Sequence, residues 1–146
     1  MKYLSLFFVL PILFSFTIWQ PSYEVAQKAA KVKHHLILLN FSGSDWCGPC
    51  MLMRKEIFND NSFSKMADTS LEMLNADFPR KKKNQLSAAM QKQNNTLAEK
   101  YDADGKFPYT VLINADGKLL KAWDGLPNEN VKKFTAIVKS ICDANK

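Results

Sequence analysis

Leu36-Ile37-Leu38-Leu39-Asn40-Phe41-Ser42-Gly43-Ser44-Asp45-Trp46-Cys47-Gly48-Pro49-Cys50 is the stretch on which the fold turns. Leu36 to Phe41 is an apolar run of strand length containing a branched residue, which suits a central strand covered on both faces. Ser42 to Asp45 supplies turn chemistry. Pro49 stands where a first helical turn tolerates proline, because its missing amide hydrogen has no intrahelical partner to lose. Met51 to Phe58 is helical by composition, with Met51, Leu52, Ile57 and Phe58 offering apolar contacts. The segment therefore predicts strand, turn and helix, with two cysteines at the joint.

Cys47 and Cys50 stand at positions i and i+3 of that joint. Residues three apart in a helical turn have Cβ atoms about 5 to 6 Å apart, so a small adjustment brings the sulfurs into a disulfide. The unpaired amides and positive dipole end of a helix favour an anion at Cys47 and raise its thiolate fraction near neutral pH. Cys47 is expected at the exposed end and Cys50 a turn further in, making Cys47 the attacking thiol and Cys50 the resolving one. Gly48 leaves room for a partner's backbone, and Trp46 offers either an apolar flank or core packing.

Working outward, Tyr23, Ala26, Ala29 and Ala30 recur at helical spacing behind a candidate cap at Ser22, predicting a helix over 22–33. Leu71 to Asp77 reads as a second buried strand that stops before Pro79. A lysine-rich stretch follows, then a helix from about Leu86 to Tyr101 with Leu86, Met90, Leu97 and Tyr101 inward. Tyr109 to Asn114 and Lys118 to Trp123 form a hairpin around Asp116-Gly117, and Asn128 is placed to cap a last helix reaching about Ala144. A helical crossover between the first two strands demands parallel pairing, while the hairpin demands an antiparallel pair. The expected fold class is α/β, a mixed β-sheet flanked by helices.

At the N-terminus, Lys2 precedes an apolar run from Tyr3 to Trp19 broken by Pro11, the outline of an export signal. Residues 1–20 are read as a signal peptide or an N-terminal anchor, and residues 21–146 as one domain. Membrane attachment follows only if the segment at 3–19 stays uncleaved, since it is short for a span of about 20 residues. The formal net charge of +6 is mild and its lysines are scattered, apart from the run Arg80 to Lys83. With no aromatic interleaving, that run reads as a solvated loop and gives no nucleic-acid site.

Three cysteines cannot all pair internally. Two lie close together and Cys142 follows Phe134, Ile137, Val138 and Ile141 on a helical apolar stripe, so a working dithiol plus one buried core thiol is expected rather than a stapled scaffold. Zinc would need four ligands, and the adjacent pair His34-His35 would point to opposite faces of a strand, so no metal site is expected. The residues indicate no cofactor.

Trp46-Cys47-Gly48-Pro49-Cys50 after an apolar strand, together with Phe107-Pro108-Tyr109-Thr110-Val111, resembles the thioredoxin superfamily from about Leu36 to the C-terminus. The fuller string from Phe41, and the long segment between Asp77 and Tyr101, are more similar to exported bacterial proteins of the DsbD C-terminal and disulfide-reductase type. The resemblance implies a thioredoxin-like fold, a redox-active Cys47–Cys50 disulfide, and a cis Pro108 whose loop presents the backbone of Phe107 to an extended substrate beside Trp46, Gly48 and Pro49. It further implies thiol:disulfide exchange on cysteine-containing exported proteins in the periplasm or another exported space, with an upstream thiol:disulfide donor.

The Gly-Pro interior resembles the reducing end of the family, which points to a disulfide reductase; an oxidase, an isomerase or a non-catalytic binding module on the same fold stays open. One departure stands out. Thioredoxins carry a buried acid beneath the dithiol, and the matching position here is Asn40, with Asp45 and Glu56 as other acids in the vicinity.

Overall fold

The computed structural model describes residues 19–102 and 104–145. The leader expected over 1–20 lies outside these residues except for Trp19 and Gln20.

Strand β1 (Leu36–Ser42) is buried at every position and forms the spine of a four-stranded sheet. Strand β2 (Leu71–Asp77) pairs with it in parallel, β3 (Tyr109–Ile113) pairs antiparallel on its other side, and β4 (Leu119–Asp124) pairs antiparallel with β3. The order is β2-β1-β3-β4. This register sets Asn40 opposite Asn75 on one side and Thr110 on the other, so three polar side chains meet in the middle of a buried sheet.

Alternation along β1 divides the core. Leu36 and Leu38 face a cluster with Met53, Phe58, Phe63, Leu112, Trp123, Phe134 and Val138, whereas Ile37, Leu39 and Phe41 face Ala26, Ala30, Leu97 and Val111. Helices α1 (Tyr23–Lys33) and α4 (Ala88–Tyr101) contribute to the second cluster. Helix α2 (Gly48–Met53), a π-helical turn over Arg54–Phe58, α3 (Asn61–Ser70) and α5 (Val131–Asp143) contribute to the first.

Three local signals read differently in the fold. Helix α3 was not expected, because Asn61, Ser62, Ser64, Asp68, Thr69 and Ser70 give it the composition of a loop. Its pattern is nonetheless helical: Asp60 caps it by accepting the amides of Ser62 and Phe63, and Phe63, Met66, Ala67 and Ser70 are buried at helical spacing. The last helix is capped by Asn130, whose side chain accepts from Lys133 N–H at 3.0 Å, two residues beyond the expected Asn128. Within the segment 51–58, Ile57 and Phe58 are buried while Met51 and Leu52 are half exposed.

Ser22 caps α1 as expected, and His34 closes it in the left-handed conformation. Cys142 is buried in the core cluster beneath α5. At the outer end of β2 the buried carboxylate of Glu72 accepts from Gln20, Lys33 and His35 at 2.5 to 2.9 Å, which supplies the partners that a buried charge requires. Trp19 packs edge-on against Phe58 and bridges to Met73, so Trp19 and Gln20 are seated on the domain. Among the described residues, no helix is long and apolar enough to cross a membrane.

Phe134 stacks on Phe63 and meets the edge of Trp123, with no solvent exposure of its own. Phe134→Ala should therefore cost about 3 to 5 kcal/mol of unfolding free energy in urea. A loss below about 1 kcal/mol would show that this aromatic stack does not hold α5 to the sheet.

Candidate active site

Strand β1 delivers the chain to Gly43, whose carbonyl accepts the amides of Trp46 at 3.3 Å and Cys47 at 2.9 Å. This tight turn places Cys47 as the N-cap of α2, in extended conformation, and Pro49 inside the first turn. The Cys47 Sγ accepts the backbone N–H of Cys50 at 3.2 Å. A helix start leaves amides without intrahelical acceptors, and here a sulfur takes one of them.

Cys47 and Cys50 are joined in a disulfide with Cα atoms 5.3 Å apart. Exposure does not rank them, contrary to expectation: Cys47 is 4% exposed and Cys50 5%. The difference between the two sulfurs lies in the cap hydrogen bond. Gly48 and Pro49 are exposed beside them, continuous with half-exposed Met51 and Leu52.

Trp46 packs beside the dithiol rather than into the main core. Its indole Nε1–H donates to the Phe78 carbonyl at 2.8 Å, its ring meets the edge of Phe107 at 5.3 Å, and the Arg80 guanidinium lies over it at 3.7 Å. Phe78 meets Phe107 in turn at 5.5 Å. The ring is seated over Gly43, where a Cβ would fall 2.2 Å from the indole. Gly43 is thus a site residue that the sequence reading treated only as turn chemistry; the signal was a glycine three residues before the tryptophan.

The Phe107–Pro108 bond is cis, as the resemblance implied, and Pro108 is buried. Asp102 Oδ1 accepts the Lys106 amide at 3.0 Å at the base of this loop, and burial pushes the Asp102 carboxyl above its ordinary range. The Pro108 carbonyl accepts from Gly125 N–H at 2.9 Å, fixing the other side.

Behind the dithiol the floor is an amide and hydroxyl network. Asn40 Nδ2 donates to Asn75 Oδ1 at 2.9 Å, Thr110 Oγ1 donates to Asn40 Oδ1 at 2.9 Å, and Ser42 Oγ donates to Asn75 Oδ1 at 3.0 Å. A cavity of about 420 Å³ runs from this floor to Cys50, with Arg54 and Lys55 also lining it and no carboxylate among its described lining residues.

The nearby acids are taken up by hydrogen bonds or an ion pair, and Asp77 touches the floor itself by accepting from Ser42 Oγ at 3.3 Å. Asp45 accepts the amides of Arg80 and Lys81 and the side chain of Asn84, and these bonds, Arg80's first, hold its carboxyl below the usual range. Its anchoring of the 80–84 segment is complete above the ordinary aspartate value and is lost as pH falls through the depressed one. Glu56 pairs with Lys55 at the surface, and Asp77, not singled out from sequence, accepts Ser44 N–H and Oγ–H at 2.8 and 2.6 Å.

Gly43→Ala should drive the Trp46 ring out of its seat. With Trp19 and Trp123 replaced by Phe, the remaining Trp46 emission should shift and lose its Arg80 contact; an unchanged spectrum would show that the close approach is not what positions the ring.

Residues 23–141 match the family model described as a thioredoxin-like domain. The chain is 37% identical over 102 residues to the disulfide bond reductase DsbH of Chlamydia pneumoniae, an alignment covering 70% of this chain and 59% of that protein. It thus spans under two thirds of that relative's length. A solved structure of DsbH oxidoreductase superimposes with a TM-score of 0.80 at 32% identity, covering 97% of this chain and 95% of the other. The oxidised DsbD C-terminal domain of Neisseria meningitidis shares the fold, with a TM-score of 0.56 at 18% identity over 84% of this chain and 91% of its own. The strand-to-helix dithiol, the cis proline loop and the mixed sheet all lie within residues 23–141, and the chain belongs to the thioredoxin-like domain family.

Proposed function

We propose that the chain reduces disulfides in exported proteins, with Cys47 as nucleophile and Cys50 as resolving thiol. The observation that carries this reading is the Cys47–Cys50 disulfide at the start of α2, in which Cys47 Sγ accepts the Cys50 amide. A sulfur so placed is stabilised as a thiolate, the form that attacks.

In the reduced protein the Cys47 thiolate attacks one sulfur of a substrate disulfide, forming a mixed disulfide and expelling the other sulfur as a thiolate that takes up a proton. Cys50 then loses its proton and attacks Cys47 Sγ. The second substrate thiol leaves, and the protein retains the Cys47–Cys50 disulfide. Two electrons and two protons have passed to the substrate, and an upstream dithiol restores the starting state by the same exchange.

Substrate contact falls to Trp46, Gly48, Pro49, Phe107 and Pro108, with exposed Gly48 and Pro49 admitting a partner's backbone. The proton on Cys50 leaves through water in the cavity behind it, over the Asn40, Asn75 and Ser42 floor, since no carboxylate is among the described residues that line that space. The reducing direction is supported by the Gly-Pro interior and by the relative named a disulfide bond reductase. Residues 1–20, read as a signal or anchor, support an exported location, and the domain is assigned to 21–146 with Trp19 and Gln20 packed against it.

Cys50→Ala should accumulate mixed disulfides through Cys47, and a further Cys47→Ala change should abolish them. A docking module with an incidental dithiol would instead bind its partners without any covalent species. The equilibrium potential separates reductase from oxidase: a value near thioredoxin's, about −270 mV, is expected, and one near about −120 mV would reverse the direction assigned here.

Asn40→Asp places a titratable group on the cavity floor. It should introduce a pH dependence into the resolving step that the native protein lacks. An unaltered profile would show that the Cys50 proton does not pass this floor.

A further inference from the structure

The run Arg80-Lys81-Lys82-Lys83 reads from sequence as a solvated loop, yet the fold fastens it to the dithiol. Asp45, two residues before Cys47, grips it through the amides of Arg80 and Lys81 and the side chain of Asn84, each at 2.9 Å. Arg80 lies on Trp46. Between them opens a groove of about 370 Å³ whose walls include Trp46, Phe78, Arg80, Leu86 and Phe107.

The charge on this loop is offset only in part: Asp45 feels the Lys81 charge, but it holds the loop through backbone amides and the Asn84 side chain. Among the described residues, none of the ion pairs involves Arg80, Lys81, Lys82 or Lys83, and all four side chains belong to exposed residues. Asp45, which grips the loop, and Asp77, which lines the groove, direct their oxygens to amide and hydroxyl donors of the protein. A groove walled by aromatic and polar side chains, with Arg80 in its wall, Asp77 held by serine donors, and the exposed Lys81, Lys82 and Lys83 next in the chain, is complementary to a polypeptide that carries carboxylates close to its cysteine.

We infer that the Arg80–Lys83 loop is a specificity element, selecting substrates whose disulfides are flanked by acidic side chains. This rests on the thiol-exchange reading above. The attraction acts over about a Debye length, roughly 8 Å at physiological ionic strength, and it acts mainly on the rate of productive encounter.

The test compares three synthetic peptides of equal length, each closed by one internal disulfide and flanked by Asp, by Lys or by Ser. The full chain reduces each peptide to its dithiol while Cys47–Cys50 becomes oxidised, and dithiothreitol at a fixed low concentration restores it. The native protein should show kcat/KM about tenfold higher for the Asp peptide than for the Lys peptide at low salt, with the ratio falling towards one as salt rises. Lys81→Gln/Lys82→Gln/Lys83→Gln should bring the three peptides together while leaving the Ser peptide's rate within about twofold, which also reports an intact fold.

Equal native rates for the Asp and Lys peptides, or a preference that survives the triple substitution, would overturn the inference alone. Failure to reduce even the Ser peptide would overturn the thiol-exchange reading and this inference with it. A triple variant that loses the Ser peptide's rate as well would overturn the specificity role and assign the lysines to the exchange step itself.

Discussion

A helix start needs acceptors for its first amides, and in this chain one of the acceptors is a sulfur. Everything near the site follows from that cap. Cys47 can accept the Cys50 amide only if β1 ends where it does, if Gly43 turns the chain within a few residues, and if Pro49 preorganises the first turn of α2. The same bond distinguishes two cysteines that exposure leaves equal. The proposed division of labour between Cys47 and Cys50 therefore depends on a local backbone feature, not on depth in the protein.

Holding the cap in place is the business of the rest of the fold. Strand β1 is buried on both faces, so its end cannot shift without disturbing two cores. Trp46 is fixed by the Gly43 seat, the Phe78 carbonyl and the Phe107 edge. The Asn40, Asn75, Ser42 and Thr110 network satisfies the polar groups behind the dithiol, and Ser42 also donates to the Asp77 carboxylate at its edge. Burying a carboxylate there would cost several kcal/mol unless it were paired. An amide floor avoids that cost, and water in the adjoining cavity is the path proposed for the Cys50 proton.

How much of this was legible in the sequence depended on the range of the signal. The strand Leu36 to Phe41, the hairpin at Asp116-Gly117, the Ser22 cap and the buried Cys142 carry short-range patterns, and they stand where those patterns put them. Helix α3 was hidden because its polar residues favour loops locally, while the burial of Phe63, Met66 and Ala67 against α5 and the sheet decides the matter.

Asn130 took the cap from Asn128 because two positions along the chain separate equivalent side chains from the right amide. One site feature lay wholly beyond the sequence: the fastening of the lysine-rich loop by Asp45. It joins residues whose proximity exists only after the sheet has formed, whereas the Gly43 seat for Trp46 is local to one turn.

The most direct measurement of the central account is the relative alkylation rate of the two site cysteines in the reduced protein near neutral pH, read by mass spectrometry of the separated peptides, with buried Cys142 as internal reference. If the cap hydrogen bond sets the order of attack, Cys47 should react about ten times faster than Cys50, a difference of about 1.4 kcal/mol in reactivity. Equal rates, or faster modification of Cys50, would contradict the claim that capping the helix is what makes Cys47 the nucleophile.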